Sequence, residues 1–438
     1  MVKSSRVGRS HLLPLARGFM SMSRKPAAEP ASVAASKVDI PISEAETLLF
    51  KGIKSIGYTT AEANVMKDAM MWAQLRDNNQ GFIKLTSGGL AKSGDGAPKI
   101  EKDSPTGARV NGNQAMSMVV MDYAVDVAIE KALASNVGVV GTFNTSQSCG
   151  ALGFYAEKIA TAGLVGVLMV TSPEFVAPHG AKQPILGTNP ITCAVPTDQG
   201  LFLVDQATAA FPWFGLLEAQ TAGVPIPEGV AFDSDGIPTT DASKALKGAL
   251  RTFDRGYKSS NLALMVELLA GPLVGAAHIN KLSAKSWGNL VIAIHPRMLG
   301  DANTFYKNAG EVLTRVRNAE RLPGVDAIII PGEREAKVAE ARLAVGTVPV
   351  EPNMLNALKE MAASWDASSA QPASPSMTEV ESLLLPKLEQ LMHRLDRLET
   401  AFQKLEISKG GDSSGLAELK ARAAAAARFG TQPVNNFK

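Results

Sequence analysis

Short runs of residues that are apolar at successive positions, set between stretches of helical period, constrain this chain most. Val137–Phe143 and Gly166–Val170 are of this kind and rich in β-branched side chains, the pattern of strands buried on both faces. Helical patterns lie between and after them, at Gly153–Ala162 and Leu262–Ala277. Strand and helix in alternation predict an α/β protein. Upstream, Ile42–Gly57 and Thr60–Leu75 space their apolar residues by three and four, predicting two amphipathic helices. Gly57-Tyr58-Thr59-Thr60 between them supplies a C-cap glycine and then a threonine N-cap. A further buried strand is expected at Val325–Ile330, ended by Pro331-Gly332.

The chain has 438 residues, 45% of them hydrophobic, enough for a sizeable core and, by length alone, two or three domains. Its formal net charge is +2, but Lys3, Arg6, Arg9, Arg17, Arg24 and Lys25 crowd into the first 25 residues, which hold no acid. The remainder is near neutral, which gives no support for a nucleic-acid partner. No apolar run approaches the roughly 20 residues of a membrane span. Cys149 and Cys193 are too few for a disulfide framework, so two free thiols in a reducing compartment are expected. There is no metal-spaced His/Cys cluster, no Gly-rich dinucleotide fingerprint and no phosphate-binding loop.

The basic, Ser-rich, acid-free start, with Leu12, Leu13, Leu15, Phe19 and Met20 for an apolar face, has the composition of an organelle-targeting presequence. Residues 1–37 are read as presequence and linker, with the mitochondrial matrix as destination; a disordered basic tail is the plainer reading. A globular body spans 38–362 and a second linker 363–376. Within 377–407, Leu384, Leu388, Leu391, Leu395, Leu398, Phe402 and Leu405 alternate steps of four and three, the seam of a short coiled coil able to reach a protein partner. The other reading is an amphipathic helix folded back on the body. An Ala-rich helical or disordered tail, 408–438, completes the chain.

Several strings carry a resemblance when taken together. They are SQSCGALGFYA (Ser146–Ala156), VTSPEFVAPHG followed by LGTNPITCAVP (Val170–Pro196), VDQAT (Val204–Thr208), IPEGVAFDSDGIPTTD (Ile226–Asp241), RGYKSSNLALMVELLAG (Arg255–Gly271) and PGERE (Pro331–Glu335). In this order they are similar to the signatures of the malate/L-lactate dehydrogenase family of non-Rossmann type, which includes ureidoglycolate and sulfolactate dehydrogenases. That resemblance implies a three-layer α/β/α body with a mixed sheet, an N-terminal helical segment and a homodimer with its active site near the interface. It implies NAD or NADP as cofactor and a small 2-hydroxy or 2-keto acid as substrate. By matching, Ser172, Asp205, Gln206, Ala207, Lys258, Gly332 and Glu333 should line the cofactor site. A lysine at 258 suits a cofactor phosphate.

The matched positions also depart from the family. Reduction of a keto carbon needs a proton for the oxygen, and histidine is the usual donor near neutral pH. In the segment Arg76-Asp77-Asn78-Asn79-Gln80-Gly81-Phe82-Ile83-Lys84, Gln80 occupies the place of the family histidine and Lys84 keeps the basic charge of its arginine. Ser148 occupies the place of the second histidine. Gln and Ser orient a carbonyl by hydrogen bonding but do not titrate near neutrality. Ser259 and Asn261 replace the glycines around Lys258, and Leu216 replaces a lysine. His179, in the loop near the expected nicotinamide, is a candidate donor beside its commoner role in shaping a loop. Lys84 is expected to bind the substrate carboxylate, since most lysines stay charged; desolvation could instead lower its pKa. Two functions follow: an oxidoreductase in which Gln80, Lys84 and Ser148 orient the substrate, or a catalytically silent dimeric scaffold whose coiled coil recruits a partner.

Overall fold

The structure, a computed structural model, describes residues 37–369 apart from positions 79, 93, 95 and 146. The expected presequence, the heptad seam and the Ala-rich tail lie outside the described residues.

β1 (Val38–Pro41) leads into α1 (Ile42–Ser55), α2 (Thr60–Leu75) and the single turn α3 (Ile83–Thr86). α2 begins where the sequence predicts: Thr59 Oγ1 accepts from the Glu62 N–H, and the Glu62 carboxylate accepts from the Thr59 N–H, a reciprocal cap. β2 (Lys99–Asp103), β3 (Gly107–Asn111), α4 (Ser117–Ser135), β4 (Val137–Thr145), α5 (Leu152–Thr161), β5 (Val165–Val170), β6 (Ile191–Thr197) and β7 (Gly200–Gln206) follow. A small unit of α6 (Trp213–Ala222), β8 (Ala231–Phe232), α7 (Ala242–Ala245) and β9 (Ala249–Leu250) has its own apolar centre around Val176, Leu186, Leu216 and Leu250. The chain returns through α8 (Tyr257–Ala270), α9 (Lys281–Ala284) and β10 (Trp287–Ile294), and ends with α10 (Ala302–Arg317), α11 (Glu333–Val345), β11 (Thr347–Val350) and α12 (Pro352–Ser369).

Seven strands form one sheet in the order β2-β3-β4-β10-β5-β6-β7. β3 and β4 pair in parallel and the other neighbours are antiparallel, so the sheet is mixed. Alternation along each strand serves two cores. Leu168, Val291 and Ala293 meet α4 and α5 through Met121, Tyr155 and Ile159, while Met169 and Leu290 meet α8 through Val266 and Ala270. That is why β4 and β5 read as apolar on both faces: helices cover both sides of the sheet. β1 pairs with β11, which brings α12 onto α1 and α2 in a helical lobe centred on Leu49, Ile53, Met66, Met70 and Leu358.

Three boundaries differ from the sequence reading. The helix expected at Leu262–Ala277 is α8, five residues earlier in start and ended by Gly271-Pro272, since proline cannot continue a helix. Val325–Ile330 is not a strand: it makes no ladder, Val325 and Ile329 are exposed, and Ile330 alone turns into the core. A β-branched run marks a preference, but a strand also needs a free partner edge, and here Leu203 N–H of β7 bonds only to Pro331 O, at 3.3 Å. α12 continues to Ser369, into the stretch read as linker, and Lys51 Nζ bonds Asp366 Oδ2 at 2.7 Å.

Candidate active site

The loop between β4 and α5 brings two distant segments together. Tyr155, buried on α5, donates its hydroxyl to Cys149 O at 2.7 Å, which holds the loop against the sheet. Gly150 adopts φ +79, a left-handed turn that suits glycine, and its N–H folds back onto Ser148 Oγ at 3.2 Å. The same oxygen accepts from Lys84 Nζ at 2.8 Å. Lys84 stands on α3 and is 1% exposed. Its Nζ lies 3.5 Å from the centre of the Phe214 ring, a cation–π contact. Phe214 is held in turn because its neighbour Trp213 stacks on Phe175, centroids 3.7 Å apart.

Lys84 forms no ion pair among the described residues. Burial pushes it down from 10.5 to about 7, because an ammonium removed from water without a counter-charge is disfavoured. Burial likewise pushes the neighbouring Cys149 thiol up to about 12, so it stays protonated. Asp205, at the end of β7, is raised to about 6 by the protein packed around it, although solvent still reaches it from the cleft. Its Oδ2 accepts from Gly153 N–H at 2.7 Å, capping α5, where a negative charge is favoured by the helix end.

Of the residues singled out from sequence, Lys84 and Ser148 are in contact. Gln80 lies on the turn that opens α3, with its N–H donating to Asn78 Oδ1 at 3.0 Å. Ser172, Thr188 and Thr208 form a second group: Ser172 Oγ accepts from Thr188 N–H at 2.9 Å, and Thr208 N–H donates to Thr188 O at 2.9 Å. Gln206 and Ala207 continue from Asp205 and are exposed. Gly332 runs along the same strand, where a Cβ would lie 3.0 Å from Leu203 O. Glu333 is taken up by Arg317 and by the Ile330 N–H. Two residues stand apart. His179 is exposed and lines a cavity of about 470 Å³ with Lys182, Asp235, Arg251 and Arg255. Lys258 is exposed on the first turn of α8.

The turn Gly187-Thr188-Asn189-Pro190 is anchored from behind. Asn189 Nδ2 donates to Glu267 Oε2 at 2.8 Å and to Ala263 O at 3.0 Å, and Lys281 Nζ donates to both Glu267 oxygens. A Cβ on Gly187 would lie 2.6 Å from Ser172 O and Oγ, so glycine is required for the turn to lie flat on Ser172. Sequence reading missed this anchor and missed Phe214. The available signal was the aromatic run Phe211-Pro212-Trp213-Phe214 in a chain with 5% aromatics.

Sheet order and helical lobe define an α/β/α protein with two polar groups, one around Lys84 and Ser148 and one around Ser172 and Thr188, and comparison supplies its kind. A model of the malate/L-lactate dehydrogenase family matches residues 40–359, and the chain belongs to that family. The malate/(S)-sulfolactate dehydrogenase of Methanothermus fervidus is 33% identical over 333 residues, 73% of this chain and 96% of that protein. The Δ1-pyrroline-2-carboxylate/Δ1-piperideine-2-carboxylate reductase of Pseudomonas aeruginosa is 37% identical over 243 residues, 53% of this chain and 72% of that one. The structure of sulfolactate dehydrogenase from Methanocaldococcus jannaschii superposes with a TM-score of 0.65 at 31% identity, over 75% of this chain and 98% of that one.

Proposed function

We propose that this protein is an NAD(P)-dependent oxidoreductase acting on a small 2-hydroxy or 2-keto acid. The observation that carries the reading is the buried Lys84–Ser148 pair, set in a body matched throughout by a dehydrogenase family. The relatives named above act on a C–O or C–N bond beside a carboxylate, and that is the substrate class inferred here. The residues present fit a nicotinamide cofactor. Gly187 lets the turn lie flat on Ser172, and the end of β7 exposes polar backbone at Gln206 and Ala207 beside it. Ser172, Thr188, Asp205–Ala207 and Gly332 would hold the cofactor, which when bound supplies or accepts a hydride. Gln80 and Ser148 orient the substrate, and Lys84 lends the seat positive potential from beneath Phe214.

We further infer a homodimer. Tyr257, Leu264 and Leu268 share one face of α8 and are exposed, as are Leu273, Ile279 and Leu282 just after it; such a patch marks an interface. Lys258 borders that face, so it would reach the cofactor of the partner subunit. Leu264→Glu with Leu268→Glu is expected to halve the mass seen by light scattering. Lys258→Ala should weaken NAD(P)H binding by about 1.5–3 kcal/mol, the worth of a hydrogen bond to a charged group; unchanged affinity in the folded variant would remove Lys258 from the site. The test of the function itself is fluorescence titration with NADH and NADPH. A folded protein that binds neither favours the scaffold. The mitochondrial matrix is proposed as the location from the basic first 25 residues.

A further inference from the structure

Among the described residues, the Ser148 hydroxyl is a donor without an acceptor. Its oxygen accepts from Lys84 Nζ and from Gly150 N–H, at 2.8 and 3.2 Å. A hydroxyl oxygen offers two lone pairs and one O–H, so both lone pairs are engaged and the proton must point elsewhere. No described residue accepts it. Lys84 is as constrained: Phe214 covers its ammonium on one side, and a ring face attracts a cation but takes no proton. Among its described contacts, the hydrogen bond to Ser148 is the one path by which a proton can leave.

We propose that Ser148 delivers the proton to the substrate oxygen and that Lys84, behind it, resupplies Ser148. This inference rests on the oxidoreductase reading above. A bound nicotinamide would supply a hydride to the substrate C2, and the carbonyl π pair would move onto oxygen. That oxygen forms a bond to the Ser148 hydroxyl proton as the Ser148 O–H bond breaks. Ser148 Oγ takes a proton from the Lys84 ammonium, leaving a neutral amine that regains its proton along the same path, through Ser148, once the product has left and water reaches the serine. Oxidation of the alcohol runs the same path in reverse. Ser148 is thus the catalytic residue, and Lys84 the residue that positions and recharges it.

Among the described residues, no other donor of suitable acidity contacts this pair. Gln80 does not titrate. Cys149, facing Lys84, is held far above neutrality, and Asp205, beyond it on β7, is turned to the start of α5. α1 and α12, which pack against α3, carry Lys51 paired with Asp366 and Glu44 paired with Lys359, and α6 brings the Phe214 ring and, one turn on, Glu218, which has no contact with Lys84 and is open to solvent. Lys84 itself exchanges its proton near pH 7, where a general acid is most effective.

The test compares the full chain with Ser148→Ala, Ser148→Thr, Lys84→Arg and Lys84→Met, each first checked for folding by circular dichroism and for NADPH and NADH binding by fluorescence. Pyruvate, oxaloacetate and Δ1-piperideine-2-carboxylate serve as acceptors. Reduction by the native protein should slow as pH rises through about 7, where Lys84 loses its proton. Ser148→Ala should lower kcat by about 100-fold or more, the usual effect of losing a positioned proton donor, with KM little changed, and Ser148→Thr should recover much of it. Lys84→Arg keeps charge but cannot release a proton, so it should lose the rate and the pH limb together. In protein labelled at lysine Cε, one NMR signal should titrate near 7 and vanish in Lys84→Arg. If Lys84→Arg retains both rate and pH limb while Lys84→Met raises KM alone, Lys84 is a carboxylate anchor and the relay is overturned. An active Ser148→Ala, or no lysine titrating below about 9, overturns it equally. Should neither nicotinamide bind nor any acceptor be reduced, the functional reading falls first and the relay with it.

Discussion

Glu267→Ala is expected to destabilise the folded protein by about 3–5 kcal/mol, the effect of removing one member of a buried ion pair. Lys281 is wholly buried and Glu267 nearly so, and Lys281 Nζ donates to its two oxygens at 2.7 and 2.9 Å. Without that carboxylate the ammonium has no counter-charge; Glu174 accepts from the Lys281 backbone N–H at 3.1 Å, not from Nζ. The same change removes one of the two acceptors of Asn189 Nδ2, leaving Ala263 O, while Asn189 Oδ1 is already buried without a partner among the described residues. Loss of stability should therefore come with weaker nicotinamide binding, because the turn over Ser172 loses part of its anchor. Urea unfolding measures the first effect and fluorescence titration the second. Glu267→Leu combined with Lys281→Met, an apolar pair of similar size, should recover most of the stability. A loss under about 1 kcal/mol for Glu267→Ala, the range of solvated pairs, would show that water reaches Lys281.

Lys84→Met is expected to act in the opposite direction. Lys84 is buried, and its pKa falls from the 10.5 of an unfolded lysine to about 7. Below pH 7 both states hold the proton, and the folded state carries the whole penalty of a buried ammonium. Above 10.5 neither does, and the penalty is gone. In the native protein Lys84 therefore contributes stability that rises with pH across this window, the unfolded chain binding more protons. Methionine removes that slope. The gain is about 5 kcal/mol below pH 7 at most, taking ~1.4 kcal/mol per pKa unit, reduced by the lost contacts to Ser148 and Phe214. Thermal unfolding of both proteins on either side of the window checks the sign. An equal gain at both ends would mean that Lys84 keeps its proton throughout. A stabilised but inactive variant is what a strained functional site produces.

Much of the body was legible locally. The threonine cap of α2, the spacing in α1 and α2, and the two-faced apolar runs of β4 and β5 each record the surroundings of one element, and each is found where expected. The strings around Ser148, Ser172, Asp205 and Gly332 placed the chain in its family. Val325–Ile330 shows where local reading fails, since its composition suits a strand and its neighbours offer no ladder. Asp205 shows what a motif leaves unsaid: its place suggested a cofactor contact, and the fold adds that its carboxylate accepts from Gly153 N–H and caps α5.

The sequence by itself determined α1, α2 and α5, the buried strands β4 and β5, the α/β class and the residue types available for chemistry, because these follow from periodicity and side-chain character within short windows. Tertiary structure decided which of those residues meet. It places β10 between β4 and β5, sets Lys84 against Ser148 across 64 positions of chain, lays Phe214 over the ammonium, and seats Glu267 between Asn189 and Lys281. The physical reason is that burial and charge pairing are properties of the space that several segments enclose. A lysine reads the same in sequence whether water surrounds it or, as at Lys84, an aromatic ring and one hydroxyl do.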